Sequence, residues 1–459
     1  MNTENTEPIR LSKWAHVFCR DGVYALFHSL NLSLFFFDKS YERFMHELRI
    51  GTTVVNLRKL GEDIAEMVKE LCETQLVVPF DHEDDFFLRE TQSRYVGHPS
   101  LETMFMLLTD VCNLECRYCF IKGNTPKGHV GKGVMTREIA KEAVDMYFAN
   151  LRPTKFRKTI VFYGGEPTLA FRLIQWVVEY VQDRYATDHA RFDVGLLIIT
   201  NGTKITDEMA RYLAEHPEIS ISVSLDGDKG TNDQKRIYAD GAGSFTDIVK
   251  GIELLQKAGR EDINISATID DHNIDRLGEM LVLHKRYHFQ SINFNPLLDT
   301  VDREINPDYT EHATKRLLEY FEQAREVGVH EDRVMRKIRA ISGSALHPFD
   351  CRATGQQLAI SPDGFMGICH EGVGCKDFFF GKVSKDFVFE EDRIVREWSR
   401  RSPLTMPQCF NCPSLGLCGG GCAYSAYLRH GTIWAIDDKF CRHSLKVLDW
   451  IVWDVHKKM

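Results

Sequence analysis

The chain has 459 residues, a formal charge of −9 and a hydrophobic content of 43%, which is enough for two or three domains with filled cores. It has no basic stripe that would suggest a nucleic-acid partner and no apolar run long enough to span a bilayer. Residues 1–7 carry neither a basic nor an apolar stretch, so no secretion signal is expected; thirteen cysteines in such a chain point to the cytoplasm, and to metal rather than disulfides.

Residues 1–95 read as a small N-terminal domain. Tyr24–Leu30 and Ser33–Phe37 have strand character, a helix is expected near Lys39–Leu48, and Ile64, Met67, Val68 and Leu71 recur at helical spacing before a short strand at Leu76–Val78. Cys72 falls on that helix's apolar face and reads as a core residue. The acidic run His82–Asp85 reads as a solvated turn. Short strands with short helices suggest a winged-helix-like fold.

From Leu101 the pattern becomes alternating strand and helix. The expected strands are Met104–Thr109, Thr159–Tyr163, Gly195–Thr200, Ile219–Leu225, Ile263–Ile269 and Ser291–Asn295. The clearest helix, Ile139–Leu151, puts Ala140, Ala143, Val144, Tyr147 and Phe148 on one face. Six βα units imply a parallel sheet covered by helices, short of a closed eightfold barrel, over residues 96–335. Unusual loops follow five of the strands: Cys112–Cys119, Gly164-Gly165-Glu166-Pro167, Thr200-Asn201-Gly202, Ser224-Leu225-Asp226-Gly227 and Asn295-Pro296. In parallel barrels the C-terminal rim carries the chemistry, so these loops describe one site. Residues 336–459 are irregular and rich in Cys and Gly, and end in a helix with Leu445, Leu448, Ile451, Val452 and Val455 on its apolar face.

Cys112, Cys116 and Cys119 follow the spacing C-x3-C-x2-C. Three thiolates on one loop can hold three corners of a cubane and leave the fourth iron without a protein ligand. Structural metal sites normally take four protein ligands. This loop after a first strand, followed in order by Gly-Gly-Glu-Pro, resembles the radical S-adenosylmethionine (SAM) enzymes over about residues 100–300. The resemblance implies that Cys112, Cys116 and Cys119 hold a SAM-binding 4Fe–4S cluster, with Tyr118 packed against cluster or adenine. Gly164, Gly165 and Glu166 suit the methionyl group and its ammonium. Ser224 and Asp226, two apart on a strand, point the same way and suit the ribose hydroxyls. Arg236 has the planar fork for a carboxylate. Thr200, Asn201, Ser266 and Asn295 complete the expected cofactor contacts.

The second cysteine group consists of Cys351, Cys369 five residues after Gly364, then Cys409-x2-Cys412-x5-Cys418-x3-Cys422 and Cys441. It resembles the SPASM extension of peptide-modifying radical SAM enzymes, which binds two auxiliary 4Fe–4S clusters. By position Cys351, Cys369 and Cys422 serve the first, and Cys409, Cys412, Cys418 and Cys441 the second. Cys375 is either a fourth ligand of the first or free, which would leave an open iron. His370 occupies the position where sulfatase maturases carry an aspartate base. It reads as a base titrating near neutrality or as a hydrogen-bond donor to a cluster sulfur. Together these features imply a partial (β/α)6 radical SAM barrel between a winged-helix-like domain and a Cys-rich SPASM domain. The expected activity is maturation of a ribosomally made precursor peptide by hydrogen abstraction and a thioether, carbon–carbon or ether cross-link. The N-terminal domain would bind the leader as an added strand, and flavodoxin or ferredoxin would supply electrons. A formylglycine-forming sulfatase maturase and a peptide epimerase are the alternatives.

Overall fold

The computed structural model describes residues 7–61, 64–126 and 133–459. Near the N-terminus, Pro8–Leu11 (β1), Ala15–Arg20 (β2), Val23–His28 (β3) and Leu34–Phe37 (β4) precede Glu42–Ile50 (α1), Thr52–Thr53 (β5), Val54–Arg58 (α2), Ile64–Glu73 (α3), Val77–Pro79 (β6) and Asp84–Tyr95 (α4). They form two sheets. In one, β1 lies between antiparallel β5 and β6, and α1 to α3 close over it with Phe44, Leu48, Leu57, Val68 and Leu71 in the core. In the other, β2, β3 and β4 pair antiparallel. Successive side chains of β3 face opposite ways: Leu26 joins the small N-terminal core, while Ala25 and Phe27 join the main core. The second sheet is therefore a layer shared between the N-terminal unit and the rest of the chain.

The acidic run is not a solvated turn. Asp84 is 8% exposed, opens α4, and takes an ion pair from Arg10 at 2.7 Å and a hydrogen bond from Ser12 Oγ at 3.0 Å. The polar groups at the sheet's end draw it inward.

Thr103–Thr109 (β7), Lys158–Gly164 (β8), Val194–Thr200 (β9), Ile219–Ser224 (β10), Ile263–Ile269 (β11) and Ser291–Pro296 (β12) are parallel and adjacent in chain order. β7 and β9 are nearly continuous apolar runs, as strands covered on both faces are. The sheet does not close. Gln357–Ile360 (β13) continues it parallel to β7, and Phe365–Gly367 (β14) and Phe379–Lys382 (β15) extend it antiparallel to a nine-strand sheet. The C-terminal third is thus tied into the barrel sheet rather than wholly irregular. The final helix, Asp438–Lys458, buries Val447, Leu448, Ile451 and Val452. It is clamped to the helix Pro307–Glu326 by the two-pronged Arg325–Asp454 pair at 2.7 and 2.8 Å. Among the described residues no helix is long and apolar enough to cross a membrane.

Candidate active site

The cysteine loop leaves β7 and rests on the turn that leaves β8. Backbone bonds run from Gly165 N to Thr109 O at 2.7 Å and from Glu166 N to Val111 O at 2.9 Å. A Cβ at Gly164 would lie 2.3 Å from Thr109 O, and one at Gly165 would lie 2.2 Å from Val111 O. The two glycines are required by this backbone contact, which seats the cysteine loop. Glu166 is 1% exposed. Its Oε1 accepts from Thr168 N, Thr168 Oγ1 and Thr200 Oγ1 at 2.9, 2.6 and 2.6 Å, and its Oε2 from Asn201 N at 2.7 Å. The carboxylate braces two rim turns. Asn201 carries the brace onward: its Nδ2 donates to Asn113 Oδ1 at 3.0 Å, and its Oδ1 accepts from Thr203 N and Oγ1 at 3.0 and 2.7 Å.

Asp226 and Arg236 were expected to meet different parts of one ligand, but they meet each other. Arg236 Nε and Nη2 donate to Asp226 Oδ2 and Oδ1 at 2.9 and 3.0 Å, and Thr268 N donates to Oδ1 at 2.8 Å. The Tyr118 hydroxyl also donates to Asp226, and the guanidinium lies over the Tyr118 ring at 5.3 Å. Arg236 is 7% exposed and Asp226 4%. The pair therefore anchors the aromatic residue of the cysteine loop to the ends of β10 and β11. Farther along the rim, Ser224 pairs in register with Ser266, and Asn295 Nδ2 donates to Ser266 Oγ at 3.0 Å. The three form a polar row across β10, β11 and β12.

His370 is walled by aromatic rings. It stacks on Phe105 at 4.3 Å and meets Phe120 and Tyr163 edge-on at 5.7 and 5.6 Å. Burial lowers its pKa from 6.5 to about 4, which disfavours the imidazolium form. It packs between β7, β8 and the end of the cysteine loop, with Gln357 Nε2 3.5 Å from its Nδ1.

The eleven clustered thiols fall into three sets and one outlier. Cys116 is electrically coupled to Cys112 and Cys119. Cys369 and Cys422 each neighbour Cys351. Cys409 and Cys441 each neighbour Cys412 and Cys418. The glycines of Cys418–Cys422 assemble these sets. Gly419 (φ 77°) would drive a Cβ to 2.3 Å from Asp350 N, next to Cys351; Gly421 (φ 66°) would drive one to 2.7 Å from Phe440 Cβ, next to Cys441. Cys375 stands apart: its Sγ lies 3.1 Å from Asp377 Oδ2 and 3.2 Å from Tyr424 Oη.

Burial pushes the Cys116 thiol up to about 12, Cys409 to about 12, and Cys351 and Cys441 to about 11. A bare thiolate is disfavoured at each, whereas bound iron would supply the positive charge that stabilises it. Among the described residues no three His, Cys, Asp or Glu converge on a single-ion site.

The three-cysteine loop stands on the rim of a six-stranded parallel partial barrel. The Radical SAM superfamily profile matches residues 106–284, so the chain carries a radical SAM domain. It is 23% identical to the radical SAM cyclopropyl synthase TigE of Paramaledivibacter caminithermalis, over 95% of this chain and 94% of that protein. The fold superposes on anSMEcpe with bound AdoMet at a TM-score of 0.64 and 20% identity, covering 79% of this chain and 96% of that one. It superposes on Streptococcus suis SuiB bound to precursor peptide SuiA at 0.50 and 14%, covering 94% and 99%. The chain is thus similar to radical SAM maturases of ribosomal peptides.

Several contributors escape a sequence reading. Asn113 and Thr203 were hidden as ordinary loop polars, although an Asn directly after Cys112 is a hint. Phe105, Phe120 and Tyr163 carry no local signal that sets them beside His370. Glu371, two residues past Cys369, is 8% exposed, and burial raises its carboxyl to about 7.

Proposed function

We propose that this chain matures a ribosomally made precursor peptide, abstracting hydrogen from a core residue and closing a thioether, carbon–carbon or ether cross-link. The observation that carries this reading is the likeness to TigE across 95% of the chain, which takes in the N-terminal unit as well as the barrel. Cys112, Cys116 and Cys119 would hold a SAM-binding 4Fe–4S cluster. Cys351, Cys369 and Cys422 would hold one auxiliary cluster, and Cys409, Cys412, Cys418 and Cys441 a second. When bound, SAM and the reduced cluster supply a 5′-deoxyadenosyl radical, the species that takes the hydrogen atom.

The chain's own residues position and protect. Glu166 and Asn201 hold the cysteine loop against its neighbouring turns, and the Asp226–Arg236 pair fixes Tyr118 beneath it. Ser224, Ser266 and Asn295 offer the hydroxyls and amide that suit a nucleoside's ribose and base. His370 and its three rings keep water from the flank of the cysteine loop. The edge strand β6 would take the leader as a fourth strand of its sheet, a role supported by the nearby exposed apolar side chains Ile50 and Phe80, 62% and 54% exposed. A flavodoxin or ferredoxin would deliver electrons in the cytoplasm, where all thirteen cysteines remain unpaired as they are here.

The test is the intact mass of a precursor peptide co-expressed with this chain under anaerobic conditions. Loss of a hydrogen pair that disappears with Cys116→Ala is expected. Unchanged mass in water with deuterium gained in heavy water would mean epimerisation instead. Conversion of a sulfatase cysteine or serine to formylglycine would replace the peptide reading with the sulfatase-type one.

A further inference from the structure

The first auxiliary set has three thiols where a fully ligated cubane needs four donors. Cys375, the fourth cysteine nearby, is engaged instead by Asp377 of its own loop and by the Tyr424 hydroxyl from the helix Ala423–His430. A different side chain faces the three thiols. Glu371 is 8% exposed, its Oε1 lies 3.9 Å from Cys422 Sγ, and its Oε2 has no hydrogen-bond partner. A buried carboxylate oxygen without a partner is costly. The carboxylate is also the foremost charged neighbour of both Cys369 and Cys422, and the next after Asp350 for Cys351. Its backbone is fixed as well: Asn124 Nδ2, just after the first cysteine loop, donates to Glu371 O at 3.0 Å.

We propose that the Glu371 carboxylate is the fourth ligand of the auxiliary cluster held by Cys351, Cys369 and Cys422. This rests on the auxiliary-cluster reading given under Proposed function. Carboxylate oxygen is a competent, harder iron ligand than thiolate, and binding iron through the free oxygen satisfies the one polar atom that the fold leaves without a partner. The step is ligand binding alone: the carboxylate gives up its proton and no electron moves.

The test uses the full-length chain with Cys112, Cys116 and Cys119 each replaced by Ala, reconstituted anaerobically so that only auxiliary iron remains. Two cubanes' worth of iron is expected. After reduction and addition of 13C-cyanide, pulsed EPR should detect no carbon coupling in this parent. It should detect coupling when Glu371→Ala or the near-isosteric Glu371→Gln is added, and lose it again with Glu371→Cys, which restores four protein donors. Adding Cys375→Ala should leave the parent's spectrum unchanged. Cyanide coupling already present in the parent would mean an open iron and overturn the proposal. Coupling that appears with Cys375→Ala and not with Glu371→Ala would assign the ligand to Cys375 and overturn it equally. Iron at one cubane or none in the parent would overturn the auxiliary reading itself, and the iron count separates that failure from the other two.

Discussion

The two cysteine regions are assembled from different stretches of chain. The first is one contiguous loop, and side chains brought from other strands brace it: Glu166 and Asn201 on one flank, Asp226 and Arg236 on the other. The second is gathered from segments between Cys351 and Cys441, and close packing at Gly419 and Gly421 joins them, with Arg401 donating to Gly420 O and Asp437 accepting from Cys422 N. A loop that must receive a cofactor leaves an open side and therefore needs support from behind. A site gathered from distant segments needs, besides, close packing that brings those segments together. The difference predicts that the two regions fail differently.

The largest effect is expected at the brace. Asp226→Ala leaves Arg236 buried without its partner, which costs about 3–5 kcal/mol. Both SAM cleavage and thermal stability should fall, while Asp226→Asn, which keeps two of the contacts, should lose less. Equal losses from the two substitutions, measured as 5′-deoxyadenosine formation and melting temperature, would show that charge rather than geometry matters. Next come the glycines, where an added methyl overlaps backbone or a packed ring at a cost of about 1–3 kcal/mol. Gly165→Ala should displace the cysteine loop and suppress SAM cleavage with auxiliary iron retained. Gly421→Ala should do the reverse, losing auxiliary iron while SAM cleavage by the first cluster persists. Iron analysis beside 5′-deoxyadenosine assay distinguishes the two, and matched losses in both variants would mean that the regions are not independent.

How far the sequence carries depends on where the information lies. The six barrel strands were legible within a residue or so, because apolar runs such as Leu196–Ile199 end in a Gly or Asn turn. β1, β2 and β5 were not, since short strands of mixed polarity resemble loops until a partner strand pairs with them. The site's residues were legible as types but not as pairs. Asp226 and Arg236 lie ten positions apart, and nothing in that spacing says that they face each other rather than a ligand. Glu166 looked free for the same reason, because the hydroxyls of Thr168 and Thr200 converge on it only when β8 and β9 lie side by side. Asp84 looked solvated because its partner, Arg10, lies far back in the chain.

The N-terminal unit carries a third way of holding structure, one that depends on pH. His28, at the end of β3, accepts hydrogen bonds from Leu30 N at 3.2 Å and Asn31 N at 3.1 Å through Nδ1, so the fold requires neutral imidazole. Burial lowers its pKa from 6.5 to about 3, and that of neighbouring His16 to about 4. A depressed histidine is protonated more readily in the unfolded chain, so its contribution is full above pH 6.5 and is lost as pH falls toward about 3. For His28 alone the loss at pH 5 is roughly 2 kcal/mol. Melting followed from pH 8 to pH 5 should show a falling midpoint, with a shallower slope in His28→Gln. An unchanged slope in that variant would remove His28 as the cause.

The smallest effect sharpens the original contrast. Asn201→Ala removes the bond to Asn113 and takes away the acceptor of Thr203 N and of the Thr203 hydroxyl, which keeps its bond from Asn113 Nδ2; each lost bond is worth about 1 kcal/mol. It leaves the Glu166 contact intact, since that bond comes from the Asn201 backbone. If the first loop depends on side chains behind it, iron content should be unchanged while 5′-deoxyadenosine formation falls by about tenfold, equivalent to about 1.4 kcal/mol in the barrier. Thr203→Val, which removes the hydroxyl but not the backbone donor, should give a smaller drop in the same direction. Loss of iron in Asn201→Ala would instead make this side chain part of the loop's fold, and the first region would then be held no differently from the second.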